Sequence, residues 1–460
     1  MQSGVIRQSW FVAIGMLAFV CILLSSLIPP FMSPDEVDHV KRAYWLSQGH
    51  VILDTEEGQN SGGQVDTGLT QYMNSYYLTF MKDRNHKVTA SEVAEAPSMQ
   101  WSGQSVYSPA PGTGYYLPLA YAPQAVALGF GKLAGLSVDT SYRLARLFSL
   151  IAALVILLVA ISIYEINPLA AALLILPMSL FQLSSASLDG ITNALAVLAI
   201  SLFMRVSVDR EDSNRWLAPL LGITLFVLVT SRAHLLPMLF LPFICYAYSR
   251  DNRTLVVAAL SVVAVFGWLA LAAHYTVDHR MVTGTPVGQI VKHYVFHPFD
   301  FFGVVYETLS SPIIRNFYSV AFIGNLGWLD TPIFPGAYTK LCWLLLIALL
   351  VSLKLSNFKE NRLARLAMAG CAILSIFMVF FALLVTYNEF PAETIQGVQG
   401  RYFLVPALMI SYALALSLKE RSQIRRLGWY LVLCVFLTYS TYSTMKLVTS
   451  KYYIVESVAR

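Results

Sequence analysis

An all-α integral membrane fold with about eleven transmembrane helices is what this sequence predicts, and three observations carry that expectation. The 460 residues are 57% hydrophobic and only 12% charged, with a mean hydropathy of +0.61, against roughly 25% charged residues in soluble domains. Apolar, nearly charge-free runs of membrane-crossing length recur along the chain. Most basic residues fall in short loops between those runs, which reads as a topology signal. A net charge of +5, small and dispersed, excludes nucleic acid as the natural partner.

The first run follows Arg7, is free of charge from Gln8 to Pro34, and exceeds a signal-peptide core, so a retained first helix is expected near Trp10 to Pro30. Five more are expected near Leu147 to Tyr164, Pro168 to Ala186, Gly190 to Met204, Trp216 to Val229 and His234 to Ala247. The last five fall near Thr254 to Tyr275, Tyr338 to Leu353, Leu366 to Thr386, Tyr402 to Leu418 and Leu427 to Met445. The stretch Tyr115 to Gly135, with two internal prolines, suits a helix lying in the interface as well as one that spans. If it lies flat, Arg205, Arg210 and Arg215, then Arg250 and Arg253, then Lys354, Lys359, Arg362 and Arg365, then Lys419, Arg421, Arg425 and Arg426 all face the cytoplasm. That choice puts the N-terminus in the cytoplasm, the C-terminus outside, and segments 31–146, 276–337 and 388–401 on the outer face. The chain reads as a single membrane domain without repeats, its long first periplasmic loop carrying short juxtamembrane helices. The five cysteines (Cys21, Cys245, Cys342, Cys371, Cys434) all lie in apolar stretches and read as small buried hydrophobes.

Chemistry is sought where charge survives next to the membrane. SPDEVDHVKRAYWLSQG concentrates Asp35, Glu36, Asp38, His39, Lys41 and Arg42 where the chain leaves the first helix. Ser33-Pro34-Asp35-Glu36 has the form of a capping box with Pro at the first helical position, which by itself accounts for Glu36. A helix beginning at Pro34 sets Asp35 and His39 on one face at i, i+4, where Asp35 is a candidate general base. Both readings stay open. Arg401 in GVQGRYFLVP reads as a bidentate phosphate ligand or as a snorkelling anchor. Arg232, Asp189, Asn193, Trp328 and Asp330 also fall on the outer face, where Asp189 as a cap, Arg232 as an anchor and Gly327-Trp328 as a turn are the plain alternatives. His293 and His297 are spaced i, i+4 but lack an obvious third ligand, so no metal site is expected there.

Taken in order, several motifs resemble a bacterial family of multipass proteins catalogued as domain of unknown function twenty-one forty-two. They are Pro34-Asp35-Glu36 with His39, Arg42-Ala43-Tyr44 with Gly49, Tyr116 to Ala125, Leu176 to Ala196, Gly327 to Thr331, and Gln399 to Phe403. That family in turn is similar to the GT-C superfamily, whose members carry an acidic residue in the first outer loop and use polyprenyl-phosphate sugars. The chain departs from the pattern in having Asp38 within the acidic segment and Arg232 where a lysine is expected.

The resemblance implies an inverting glycosyltransferase of the bacterial inner membrane. It would move sugar from a polyprenyl-phosphate donor to a surface glycan such as O-antigen. It makes Asp35 the base, Glu36 its neighbour or an acceptor-orienting group, Arg401 and Arg232 the phosphate clamp, and Lys41 and Arg42 reserves. His39, Asp38, Gln399, Asp189, Asn193, Trp328 and Asp330 are the expected substrate contacts. Some GT-C enzymes use a divalent cation and others do not; accessory proteins that make and flip the donor are implied as partners. The rival readings are a transporter or flippase for a lipid-linked or polar solute, and a non-catalytic scaffold for envelope assembly.

Overall fold

The computed structural model describes residues 2–279, 284–353, 361–415 and 423–454. In chain order the elements are α1 (Gln2–Leu27), α2 (Glu36–Ser47), β1 (Gly62–Asp66), α3 (Thr67–Lys82), α4 (Ala90–Glu95), β2 (Ser105–Pro109), α5 (Ala122–Leu133) and α6 (Val138–Ile163). There follow α7 (Pro168–Leu174), α8 (Pro177–Leu183), α9 (Asp189–Asp209), α10 (Leu217–Ser231), α11 (Leu241–Ser249) and α12 (Asn252–Tyr275). The remainder is α13 (Val287–Phe296), α14 (Pro298–Ser310), α15 (Pro312–Gly324), β3 (Asn325–Leu326), β4 (Thr331–Pro332), α16 (Pro335–Ser352), α17 (Arg362–Tyr387), α18 (Leu404–Leu414) and α19 (Gln423–Tyr452). Among the described residues seven helices are long and apolar enough to cross a membrane, α1, α6, α9, α12, α16, α17 and α19. The other four expected crossings are helical but short or broken: α7 with α8, α10, the 3₁₀ turn Ala233–Phe240 running into α11, and α18.

Helix α9 is the hub. It is buried on nearly all sides and packs against α6, α8, α10, α11 and α18, as expected for a helix apolar around its whole circumference. The break before it has a local cause. Pro177 forces Leu176 into an extended conformation, ending α7 and restarting the chain as α8. Irregular backbone then runs from Ser184 to Leu188 through the protein interior, where its polar groups need partners. Glu36 supplies one, accepting from the Ala186 amide at 2.7 Å, and Gln124 donates to the Ser187 carbonyl at 3.4 Å.

The polar segments gather at one end of the bundle. Arg401 bonds Asp35, Trp328 Nε1 donates to the Phe31 carbonyl, the Ser61 amide donates to Val277 O, and Lys87 reaches the carbonyls of Ser450 and Lys451. At the other end Trp10 Nε1 meets Glu165, and the Ala364 amide donates to the Tyr248 hydroxyl. The basic residues Arg205, Arg210, Arg215, Arg250, Arg253, Arg362 and Arg365 belong to that second end; Lys354, Lys359, Lys419 and Arg421 lie outside the described residues.

Two expectations are revised and one left open is narrowed. Helix α6 begins at Val138, well before Leu147, because Arg146 is neutralised by Glu36 and can lie inside a helix. The stretch Tyr115 to Gly135, which suited either a flat or a spanning helix, contains α5 of only 12 residues, and both its ends are tied to the polar end, through Tyr121 to His39 and Lys132 to Asp66. Its outward face, with Val126, Phe130 and Leu133 exposed, suits lipid. The first loop also holds a two-stranded antiparallel ribbon, β1 with β2, which the Gly-rich sequence did not advertise by alternation. In segment 276–337 helices α13 to α15 expose Phe296, Phe299, Tyr306 and Ile313, an apolar surface of the kind that marks an interaction site. Among the described residues the cysteines form no disulfide.

Candidate functional site

Pro29 and Pro30 end α1, and the next five residues turn the chain back along the bundle end. Two of them, Phe31 and Asp35, have positive φ (64° and 61°), a conformation that costs a non-glycine residue about 1–3 kcal/mol and persists only when surroundings enforce it. The enforcement is visible. The Phe31 amide donates to the Tyr142 hydroxyl at 3.0 Å, and its carbonyl accepts from Trp328. Helix α2 starts at Glu36 and not at Pro34, with Asp35 at the N-cap making no side-chain capping bond. Half of the capping box survives, since the Ser33 amide donates to Glu36 Oε2 at 3.3 Å, but the Ser33 hydroxyl has no partner.

Glu36 is the fastening of this turn. Fully buried, it accepts from Tyr142 at 2.9 Å, from Ala186 N at 2.7 Å, and from Arg146 Nε and Nη2 at 3.1 and 3.2 Å. Arg146 in turn donates to the carbonyls of Ser25, Ile28 and Pro29. One carboxylate thus binds the end of α1, the start of α2, α6 and the α8–α9 link. It faces no open space, so the structure gives it a positioning role in place of the acceptor-orienting one expected.

Asp35 faces the other way. Its side chain keeps 52% of its surface, yet its wider surroundings are protein, so it lies on the wall of a recess. Its Oδ2 accepts from Arg401 Nη2 at 2.7 Å. Arg401 Nη1 donates to Asp189 Oδ2 at 2.9 Å, and Nε donates to Gln399 Oε1 at 2.6 Å. The second oxygen of Asp189 accepts from Arg232 Nη2. The result is an alternating chain of charges, Asp35, Arg401, Asp189, Arg232, closed by hydrogen bonds. Burial alone pushes the Asp35 carboxyl up, but the adjacent Arg401 guanidinium outweighs it and holds the group below the usual carboxylate range. Asp189 is the first residue of α9 and makes no capping bond, and Arg401 retains 3% of its side-chain surface; neither the capping nor the anchoring alternative describes them.

Gly400 makes the placement of Arg401 feasible. The Gln399–Phe403 segment lies so close to α15 that a Cβ at Gly400 would sit 2.2 Å from the Phe322 amide nitrogen and 2.4 Å from the Tyr318 carbonyl oxygen.

The segment Tyr115 to Tyr121 forms the opposite wall. Arg232 lies over the Tyr116 ring at 5.7 Å, His39 Nδ1 is 2.8 Å from the Tyr121 hydroxyl, and the Tyr402 ring flanks Arg401 at 5.5 Å. Burial lowers the His39 pKa and raises that of Tyr121, so both are neutral at pH 7 and share one hydrogen bond. On its far side the same segment, with Leu117, Pro118 and Leu119, lines an apolar groove of about 630 Å³ completed by Leu46, Val126, Phe130 and Trp268. Trp268 Nε1 donates to the Tyr115 carbonyl, holding that wall to α12.

Of the residues the sequence singled out, Asp35, His39, Asp189, Arg232, Gln399 and Arg401 meet in this recess. Asn193 lies one turn further along α9, donating to Gln182 Oε1 at 3.3 Å. The others are engaged elsewhere. Lys41 bonds Asp38 and the Pro109 carbonyl, and Arg42 is buried against the carbonyls of His50 and Val51, which removes both as reserve phosphate ligands. Asp330 pairs with Arg84 and Lys451 and closes the β3–β4 turn, while Trp328 packs on Tyr77. Tyr116, Tyr121, Tyr402 and His234, which packs on Tyr402, were not singled out from the sequence. Tyr116, Tyr121 and Tyr402 do fall within the motifs Tyr116 to Ala125 and Gln399 to Phe403, and the signal for His234 is its closeness in the chain to Arg232. Among the described residues no group of three or more His, Cys, Asp or Glu could hold a metal ion.

Residues 17–410 match the sequence model of a family described as "Predicted membrane protein (DUF2142)". No curated protein matches the chain.

Proposed function

As the chain belongs to the DUF2142 family of membrane proteins, we propose that it is an inverting glycosyltransferase that takes sugar from a polyprenyl-phosphate donor at the outer face of a bacterial inner membrane. The acceptor is a cell-surface glycan of the O-antigen kind. In this reading the chain crosses eleven times, α7 with α8, α10, the segment ending in α11, and α18 supplying the four short crossings. The N-terminus is cytoplasmic and the C-terminus periplasmic. Donor synthase and flippase proteins are its implied partners.

The observation that carries the proposal is one wall with two faces. The segment Tyr115 to Tyr121 turns Tyr116 toward the Arg232 guanidinium and Tyr121 toward His39, and Leu117 to Leu119 toward an apolar groove. A ligand with an anionic head and a long apolar tail fits that pair of surfaces. In the reaction the acceptor hydroxyl oxygen bonds the anomeric carbon as the bond from that carbon to the phosphate oxygen breaks. The bonding electrons leave on the phosphate, and the hydroxyl proton passes to Asp35. The products are the inverted glycoside and polyprenyl phosphate, whose charge Arg401 and Arg232 stabilise. Gln399 and Asp189 hold the guanidiniums in place. Asp35 and Asp189 each face a guanidinium, a donor set that does not fit a divalent cation, so no step runs through one.

The test is transfer of radiolabelled sugar from polyprenyl-phosphate donors by purified protein in nanodiscs, comparing wild type with Asp35→Asn at matched monodispersity. Loss of transfer by about 100-fold or more is expected for removal of a general base. Equal transfer removes Asp35 from the chemistry. A second reading has an observation of its own: the broken pair α7 and α8, with irregular backbone next to the buried Asp189, resembles the discontinuous helices of transporters. Absence of transfer from every donor, with uptake of a lipid-linked sugar into proteoliposomes, favours that reading.

A further inference from the structure

We infer that the Asp35 carboxylate and the donor phosphate compete for the same face of Arg401, and that an arriving anion displaces Asp35 from Arg401 and so releases it to act as base. The inference rests on the glycosyltransferase reading and adds an order of events to it.

Access argues for it. Arg401 keeps 3% of its side-chain surface and has a partner on each of its three nitrogens: Asp35, Asp189 and Gln399. Asp189 is itself buried and shared with Arg232, and Gln399 is the residue two positions before Arg401 in the chain. Neither can move out without disturbing the bundle. Asp35 is different, with half its side-chain surface facing the recess. An anion therefore reaches Arg401 only through the position that the Asp35 carboxylate holds.

The chemistry runs in the same direction. A carboxylate held at 2.7 Å by a buried guanidinium is a weak base, because the proton it must accept is opposed by the ion pair. Exchange of that partner for a phosphate leaves Arg401 as fully neutralised as before. It frees Asp35 beside a second anion, which raises its affinity for a proton. The base becomes strong at the moment the leaving group is seated. Donor binds first, and acceptor hydroxyls find no competent base until then.

Direct competition has a signature that catalysis alone does not. Removing the competitor must tighten anion binding, since apparent affinity is reduced by the fraction of sites already closed. Titration calorimetry of the full chain in nanodiscs, with farnesyl phosphate and with inorganic phosphate as probes, reads this directly. Asp35→Asn is expected to bind farnesyl phosphate at least ~10-fold tighter than wild type. Glu56→Gln, which removes the same charge elsewhere in the first loop, from a residue bonded to Gln59 and Gln64 and not to Arg401, is expected to stay within about threefold of wild type, a purely screened effect. If the asparagine variant is not monodisperse, Asp35→Ala replaces it. Unchanged or weaker binding by the Asp35 variant, or an equal gain in Glu56→Gln, overturns the exchange while leaving the phosphate site standing. No binding by either wild type or Asp35→Asn overturns both the exchange and the reading beneath it. A gain seen equally with inorganic phosphate supports the exchange and reassigns the anion from a lipid headgroup to a free phosphate.

Discussion

Glu36 and Asp35 are neighbours with opposite fates, and the difference is set by where each carboxylate points. Glu36 is wrapped by three donor groups and a buried cation, so its loss leaves Arg146 uncompensated inside the protein. Breaking such a pair from one side costs about 3–5 kcal/mol. Glu36→Gln is expected to lower the thermal unfolding temperature in detergent markedly, and Glu36→Gln with Arg146→Met to recover part of the loss. An unchanged melting temperature would remove Glu36 as the fastening of the turn. The sequence marked both residues, because carboxylates beside an apolar run demand an explanation. It set Asp35 apart as the candidate base but could not show what holds Glu36, since the donors to Glu36, Arg146, Tyr142 and Ala186, lie more than a hundred positions away.

Elements were legible in proportion to their hydrophobic length. Every expected crossing is helical, but Pro177 and the short runs in α10, α11 and α18 make four of them incomplete cylinders. The start of α6 was misplaced because an arginine inside a helix is legible only once its partner is known. The docking of the Gln399–Phe403 turn on α15 carried a single sequence mark, Gly400, whose meaning depends on a neighbour elsewhere in the chain. Its consequence is testable at this scale. Gly400→Ala pushes a methyl group against backbone that has no room to yield, so a loss of about 1–3 kcal/mol is expected, as for other overpacking changes. With it Arg401 shifts from Asp35 and Asp189, and anion binding weakens. Wild-type stability and binding in this variant would show that the turn is free to move.

At the scale of the whole molecule, the recess belongs to the end of the bundle opposite the arginine-bearing loops, and its use of an outer-face donor depends on that orientation. Single cysteines at the exposed positions Glu57 and Asn214 report it in intact cells against the wild-type background. An impermeant maleimide is expected to label the Glu57→Cys chain at once and the Asn214→Cys chain only after permeabilisation; the reverse pattern moves the site to the cytoplasm. The charge chain at the recess also has a bearing on biosynthesis. Asp35 and Arg401 are bonded across 366 positions, with Asp189 and Arg232 between them. While the ribosome is still making the C-terminal third, the half-built site has two carboxylates facing one guanidinium, an arrangement that repels phosphate. Only arrival of Arg401 brings that balance to neutral, so under the proposed function a nascent or truncated chain is expected to hold no lipid donor until that turn is in place.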